Sequence, residues 1–460
     1  MKKKKIVIII SGDGMVRNYI STKVFYNLDK KFNILYLVNG NNTSNFKYFK
    51  NYKLNYQKFF YTKKELKKYD NFHLLNTYQN ENRSKSIKYS IQRILRGKLI
   101  YPHQTFNNFL MLPLRLGAVI KKKIIYFFYK YFYSKHKILE FQNKINSKLE
   151  NAVMKFKPDL IVCPTGGQCI SYYDAVRIGK KKNIKSLAII DNWDNMSSRT
   201  HPKPHANHYA VWSKQSKMHG EHIQLIDKKN ISIVGSARYE NYFQSRDKNQ
   251  KNYFNFRYAI LFEGFGIEDD LEEVMDKLEI IISKNNIENF KIIYRPHPWR
   301  KNIKKINLDK YRNIILDPQF KKIYKQNNFR TTFQPNLNYY PALINNCKFV
   351  ISAPTTMLIE AMIFRKNIIL LSHGKNKFLG HYNHNVKLTH IDGIKKIKNI
   401  FTYSDESNLE NLFLNLYNKN IEKSNKEKKI IDKSREYFLH KEKLSFSYLI
   451  EKIFTNMIKS

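Results

Sequence analysis

Carboxylates are scarce in this chain: 37 Asp and Glu stand against 83 Lys and Arg among 460 residues, a formal charge of +46. Such an excess attracts polyanions, and the candidates are anionic lipid surfaces, nucleic acid and phosphorylated substrates. The excess is mostly Lys and accompanies heavy use of Ile, Asn, Tyr and Phe, all with A/T-rich codons, so genome composition is a second source for it. Cysteine is also rare. Cys163, Cys169 and Cys347 show no metal-ligand spacing and are odd in number, which fits a reduced cytoplasm. Long apolar runs are missing. Lys2 to Lys5 precede only Ile6 to Ile10, too short a run for a secretory signal. No later segment approaches the roughly 18 apolar residues of a spanning helix. The expectation is a cytoplasmic protein, soluble or peripheral on the inner face of the cell membrane. Apolar residues as such are not lacking: 42% hydrophobic with 14% aromatic excludes a mainly disordered chain, and the length allows two or three domains.

The most informative stretch is 347–371. It reads as a buried strand (348–351), a turn of Ser352, Ala353, Pro354, Thr355 and Thr356, a helix (357–364) and a second apolar strand (367–371). That order is half of a doubly wound α/β unit. Pro354 suits the first turn of a helix, whose amides lack partners and offer a seat for a diphosphate beside Ser352, Thr355 and Thr356. Glu360, four residues after Thr356 on the same face, could accept from ribose hydroxyls; the alternative is a solvated Glu on an ordinary helix.

The chain opens with a β-branched strand, Ile6 to Ile10, the turn Ser11, Gly12, Asp13 and Gly14, a helical pattern over 19–28 and a strand over 32–38. Asp13 is a candidate general base, or half of an Asp-Gly turn. Residues 40–100 show poor periodicity and support no assignment. Residues 107–133 mix aliphatic and aromatic residues with Arg115, Lys121, Lys122, Lys123 and Lys130, a composition that suits either an anionic membrane surface or a core-packed helix pair with a basic outer face.

A strand over 157–163 ends in Pro164, Thr165, Gly166 and Gly167. Another, 186–190, runs into Asp191, Asn192, Trp193, Asp194 and Asn195; here Asn192 and Trp193 are candidate acceptor contacts, Trp193 stacking on a sugar, and Asp194 a candidate base. A structural Asx-turn with a buried Trp is the competing account. His201, His205, His208 and His219 show no metal-ligand pairing, so no metal site is assigned. Short strands at 210–213 and 231–235 follow, and the polar run 244–252 reads as an inter-domain linker.

A second series of strands starts at 258–262 and closes with Glu263, Gly264, Phe265 and Gly266. A helix over 268–283 leads to a strand, 291–294, ending in Arg295, Pro296, His297 and Pro298. Two prolines aim the His297 imidazole, and Arg295 beside it offers a phosphate fork. Ile314 to Leu316 is a further strand. Past Leu371, a loop with His373, Gly374, Gly380 and His384 could close over a nucleotide; residues 404–460 are helical, and the last helix could return to the first domain.

Two successive α/β halves resemble the two-Rossmann-domain glycosyltransferase (GT-B) architecture, and the motif order is similar to that of CDP-glycerol glycerophosphotransferase and capsule polysaccharide transferase relatives. The likeness rests on 234–243 with Arg238, on Arg295 to Pro298, and on 342–371, and covers roughly 157–372. It implies an α/β protein of two domains facing across a cleft: 1–240 for the acceptor, with a basic aromatic insertion near 100–135; 253–430 for the nucleotide donor; and a C-terminal helix, 431–460. It implies that His297 contacts the donor phosphate or protonates the leaving group, that Arg295 supports it, and that Ser352, Thr355 and Thr356 hold the diphosphate; Gly264 and Gly266 are further candidate donor contacts and Arg238 a candidate acceptor contact. Two departures are Ala237 in place of a proline and Glu360–Ala361 after the turn, which looks more like nucleotide-sugar transferases and UDP-sugar 2-epimerases.

The expected activity is a metal-independent, cofactor-free transfer of a sugar from a nucleotide diphosphate to a surface-polysaccharide or lipid-linked acceptor, with an anionic membrane as a further partner. The alternatives are a CDP-polyol phosphotransferase, a hydrolysing epimerase, and a non-enzymatic polyanion binder; no RNA-binding signature is present, which disfavours nucleic acid.

Overall fold

A computed structural model describes residues 3–96, 112–129, 131, 144–263, 268–296, 307–325, 336–374, 382–419, 423–441 and 445–459. The chain divides into two compact units, Met1–Gly235 with Glu442–Ser460, and Ser236–Lys441.

The first unit is built on seven parallel strands: β1 (Lys5–Ile10), β2 (Asn33–Asn39), β3 (Tyr56–Phe59), β4 (Leu160–Thr165), β5 (Lys185–Ile190), β6 (His208–Val211) and β7 (Ile231–Ile233). Their order is β3-β2-β1-β4-β5-β6-β7. β1 pairs with β2 (Ile6 opposite Ile34) and with β4 (Ile6 opposite Leu160), so the order reverses direction at β1/β4. The unbroken apolar runs Ile6 to Ile10 and Leu160 to Cys163 are what burial on both faces requires. One face packs Val7, Ile9, Leu35, Leu37, Ile161 and Ala188 against Leu149 and Val153 of the helix Ser147–Phe156 and Tyr172 and Val176 of the helix Ile170–Lys182.

The second unit holds six parallel strands: β8 (Arg257–Phe262), β9 (Phe290–Arg295), β10 (Ile314–Leu316), β11 (Val350–Ser352), β12 (Ile368–Leu371) and β13 (Ile400–Tyr403). The order β10-β9-β8-β11-β12-β13 reverses at β8/β11. Alternate residues Ala259, Leu261, Ile292, Ile351 and Ile369 meet Leu271, Val274 and Leu278 of the helix Glu268–Lys284 and Phe413 of the helix Leu409–Asn418. On the other face Tyr258 donates its hydroxyl to Leu343 O, 2.9 Å, in the helix Tyr339–Asn346.

The last helix, Phe446–Lys459, belongs to the first unit. Phe454 meets the Phe32 ring edge-on at 5.9 Å, Ser447 Oγ donates to Val24 O at 2.6 Å, and Lys31 pairs with Glu451 at 2.7 Å. Among the described residues no helix is long and apolar enough to cross a membrane.

Three local readings of the sequence come out differently. The expected helix over 19–28 is instead a helical turn at Asp13–Met15 running into a π-turn at Val16–Ile20. It stops because Ser21 and Thr22 return their hydroxyls to the carbonyls of Arg17 and Asn18 (2.7 and 2.8 Å) and Lys23 turns left-handed at φ 59°. The unassigned 40–100 stretch contains β3 and the helices Lys47–Asn51, Lys63–Gln79 and Lys85–Arg96. The run read as a linker begins inside a helix, Glu240–Arg246; the units divide earlier, at Gly235, where φ is 77°.

Candidate functional site

In an open parallel sheet, ligands bind beyond the carboxyl ends of the strands where the order reverses. Each unit has one such point, at β1/β4 in the first and β8/β11 in the second.

In the second unit this edge carries a dense set of buried polar groups. Arg295, the last residue of β9, pairs through Nη1 with Asp317 Oδ2 at 2.7 Å and lies 3.9 Å from the centre of the Tyr340 ring. Asp317 is fully buried and accepts also from Tyr339 Oη (2.8 Å) and the Gln319 amide (2.9 Å). Burial lowers the Arg295 pKa, and the Asp317 carboxylate works against that fall. Glu263, just past β8, accepts from Tyr294 Oη at 2.6 Å, while its amide donates to Arg295 O at 3.0 Å. Arg295 is thus held inside the unit by a carboxylate and an aromatic face.

After β11, Ser352 Oγ donates to Ala353 O at 2.8 Å, and the Ala353 amide donates to Phe262 O at 3.3 Å, which extends the β8/β11 pairing past the strand ends. The helix that follows is short, Met357–Ile363. Its first amides are satisfied locally: Met357 N donates to Thr355 Oγ1 (3.2 Å), Leu358 N to Thr355 O (3.1 Å) and Ile359 N to Thr356 O (3.0 Å). The expectation of a turn with free amides therefore gives way to a self-capped turn, because a threonine hydroxyl competes for the same donors. Thr355 and Thr356 are half-buried at this edge, whereas Ser352 is buried.

Glu360 is 1% exposed. Its Oε1 accepts from Arg238 Nη2 at 2.5 Å and from Tyr239 Oη at 2.9 Å, and its Oε2 from Tyr242 Oη at 3.1 Å. Burial pushes the Tyr239 hydroxyl well above its usual range, so it remains a donor. The structure thus brings together Glu360 and Arg238, which the sequence reading placed in different roles. Arg238 keeps 20% of its side chain exposed.

In the first unit, Asp13 is tied to the loop after β2: Oδ1 accepts from the amides of Ser44 and Asn45, both 3.0 Å, and Oδ2 from Ser44 Oγ at 2.6 Å. These bonds fasten the β1 and β2 loops together. After β5, Asn192 Oδ1 accepts from the Trp193 amide at 3.0 Å, and Asp194 Oδ2 accepts from Ser198 Oγ at 2.6 Å. Trp193 is 1% exposed and its indole lies in the interior, in the manner of the Asx-turn alternative; Asn192 and Asp194 are half-buried. Gly167, after β4, has φ 86°, and a Cβ there would lie 2.4 Å from His201 Nε2. Burial, with His205 and His73 nearby, lowers His201 to about 3.

His297, Gly264 and Gly266 lie outside the described residues, as do 375–381 of the loop after β12. Sequence reasoning missed Asp317, Tyr339, Tyr239 and Tyr242. Asp317 directly follows a strand and precedes Pro318, which was the available signal. The two tyrosines stand within the 234–243 stretch but carry no chemical label without their partner.

No protein-family profile matches the sequence, nor does any curated protein sequence. Solved structures do match in fold. A glycosyltransferase from Rickettsia africae aligns over 100% of both chains at 12% identity with a TM-score of 0.51. MnaA from S. aureus, a co-structure with UDP, aligns over 99% of this chain and 98% of its own at 11% identity and TM-score 0.51. A UDP-N-acetylglucosamine 2-epimerase aligns over 100% and 98% at 10% identity and TM-score 0.50. The chain has the GT-B fold that these structures share.

Proposed function

We propose that this protein is a glycosyltransferase that binds a nucleotide-diphosphate sugar at the carboxyl edge of β8 and β11 and passes the sugar to a saccharide or lipid-linked acceptor of the cell surface. The observation that carries the reading is the coincidence of the half-buried Thr355–Thr356 turn with the reversal point of the second sheet. The fold is shared with a structure named as a glycosyltransferase and with one that holds UDP.

In this proposal the Thr355 and Thr356 hydroxyls and the part-exposed Arg238 side chain contact the donor, with Gly264 and Gly266 as further donor contacts. Asp317 and Glu360 hold Arg295 and Arg238 in place through their ion pairs. A positive group beside the diphosphate, here Arg238, favours its departure because the charge develops in the transition state, and His297 is the proposed proton donor to it. Asp194 is the better candidate for the base that deprotonates the acceptor hydroxyl, since Asp13 is already engaged by three hydrogen bonds from Ser44 and Asn45. No cofactor or metal enters the proposal.

Calorimetry with UDP, CDP and GDP sugars tests the donor site. Thr355→Val with Thr356→Val should weaken donor binding by about tenfold, the scale of one or two lost hydrogen bonds; unchanged binding would remove the turn from the site. The second reading, a hydrolysing 2-epimerase, is favoured by the similar fold likeness to a UDP-N-acetylglucosamine 2-epimerase and by Glu360–Ala361 after the turn. It predicts conversion of the donor without any acceptor, observable by NMR.

A further inference from the structure

The helix Leu112–Phe127 has two dissimilar sides. Inward, Ile125, Tyr126 and Tyr129 pack on Tyr78, Ile87, Ile91 and Ile223. The Tyr126 ring meets Tyr78 edge-on at 5.1 Å, and its hydroxyl donates to Glu81 Oε2 at 3.1 Å. These contacts fix the helix's rotation, so its outer side is determined.

That outer side is apolar. Ile120 is 48% exposed, Ile124 50%, Phe127 79% and Phe128 49%, with Tyr131 67% exposed one turn on. The spacing i, i+4, i+7, i+8 and i+11 gathers them into a stripe about 100° wide. By the same rotation Lys121 and Lys123, both exposed, fall on opposite flanks of the stripe. Lys122 falls on the packed side, where burial raises the Asp70 pKa and the Lys122 charge works against that rise. Between Glu81 and Glu140 the sequence has no Asp or Glu, and it has 13 Lys and Arg.

We infer that this stripe is a docking surface for a bilayer containing anionic lipid. Isoleucine and phenylalanine side chains enter the headgroup boundary while flanking lysines reach up to the phosphates, the arrangement of an interfacial amphipathic helix. A second copy of the chain is a poor occupant, because two basic surfaces would repel. RNA would use the lysines but gains nothing from the isoleucines. The surface does not depend on the donor proposal: it is read without nucleotide, so its failure and the failure of donor binding are separate results.

Vesicle flotation of the full-length protein tests it, using phosphatidylcholine with and without phosphatidylglycerol. Wild-type protein should float with the anionic vesicles and be released as salt rises. Ile124→Ser with Phe127→Ser should weaken binding at least tenfold. Lys121→Gln with Lys123→Gln should weaken anionic preference by roughly fivefold per lysine. Phe127→Trp should shift its emission to the blue on anionic vesicles. All these positions are exposed, and an unchanged melting temperature confirms that the variants fold. Equal vesicle binding by wild type and the Ile124/Phe127 variant would overturn the inference. So would a dimer abolished by that variant without vesicle binding, or RNA capture insensitive to it in protein that ignores vesicles.

Discussion

Replacing Glu360 by alanine removes a buried carboxylate that three donors share, and its cost follows from their surroundings. Breaking a buried ion pair from one side costs about 3–5 kcal/mol, because the remaining charge stays without a counterion. Arg238 keeps 20% of its side chain exposed, so water recovers part of that loss. The hydroxyls of Tyr239 and Tyr242 are left in the interior, and each adds about 1 kcal/mol when its acceptor goes. The sum stays near 3–5 kcal/mol, which for a unit of this size lowers the melting temperature by about 6–20 °C. Calorimetric unfolding should show the transition of the second unit falling while that of the first is unmoved. Glu360→Gln should fall less, and adding Arg238→Met to it should recover stability, because the orphaned charge is then gone. A Glu360→Ala protein melting with wild type would refute the buried network and return Glu360 to the role of a solvent-facing ligand.

Two glycines should respond in opposite directions. Gly167→Ala places a Cβ against His201 at a φ of 86° and should destabilise the first unit by about 2 kcal/mol or more. Gly117→Ala, with nothing within 4 Å and a helical backbone, should stabilise by about 1 kcal/mol, both read as melting shifts. Burial holds His201 at about 3 and His73 at about 4, below the unfolded value of 6.5. Each contributes stability that is complete above pH 6.5 and is lost as pH falls towards its folded pKa, by about 1.4 kcal/mol per pH unit. Asp174, raised to about 7 by burial, works in the opposite sense, losing its contribution as pH rises from 3.8 through 7, so residue-resolved NMR is the right assay. Both imidazoles should keep neutral chemical shifts at pH 5, and titration near 6.5 would contradict their burial.

The strands were the legible part of the fold. Ile6 to Ile10, 186–190 and 258–262 stand within a residue of the observed limits, because parallel strands buried on both faces are near-continuous apolar runs, and the part-exposed edge strand Ile314 to Leu316 is legible from its three aliphatic residues. The helix Lys63–Gln79 escaped because its buried face has a single aliphatic residue, Leu75, among Tyr69, Phe72, Asn76, Thr77 and Tyr78. Thr62 and Glu65 form a capping box at its start, the one local signal of this helix that the sequence carries. At the site, spacing correctly brought Thr356 and Glu360 onto one helix but could not show which way the carboxylate was committed. That depended on Arg238, Tyr239 and Tyr242, more than a hundred residues away in sequence. The same limit applied to Arg295, whose partner Asp317 comes from a different strand's end.

The measurement that bears most directly on the proposed function is a reaction of the full-length protein with a panel of nucleotide sugars and CDP-glycerol, followed by calorimetry for binding and by NMR for turnover. The account predicts saturable binding of a nucleotide-diphosphate sugar, competition by the free nucleotide diphosphate, and release of that nucleotide only when an acceptor is supplied. Absence of binding to every donor, or conversion of the donor alone, would contradict it.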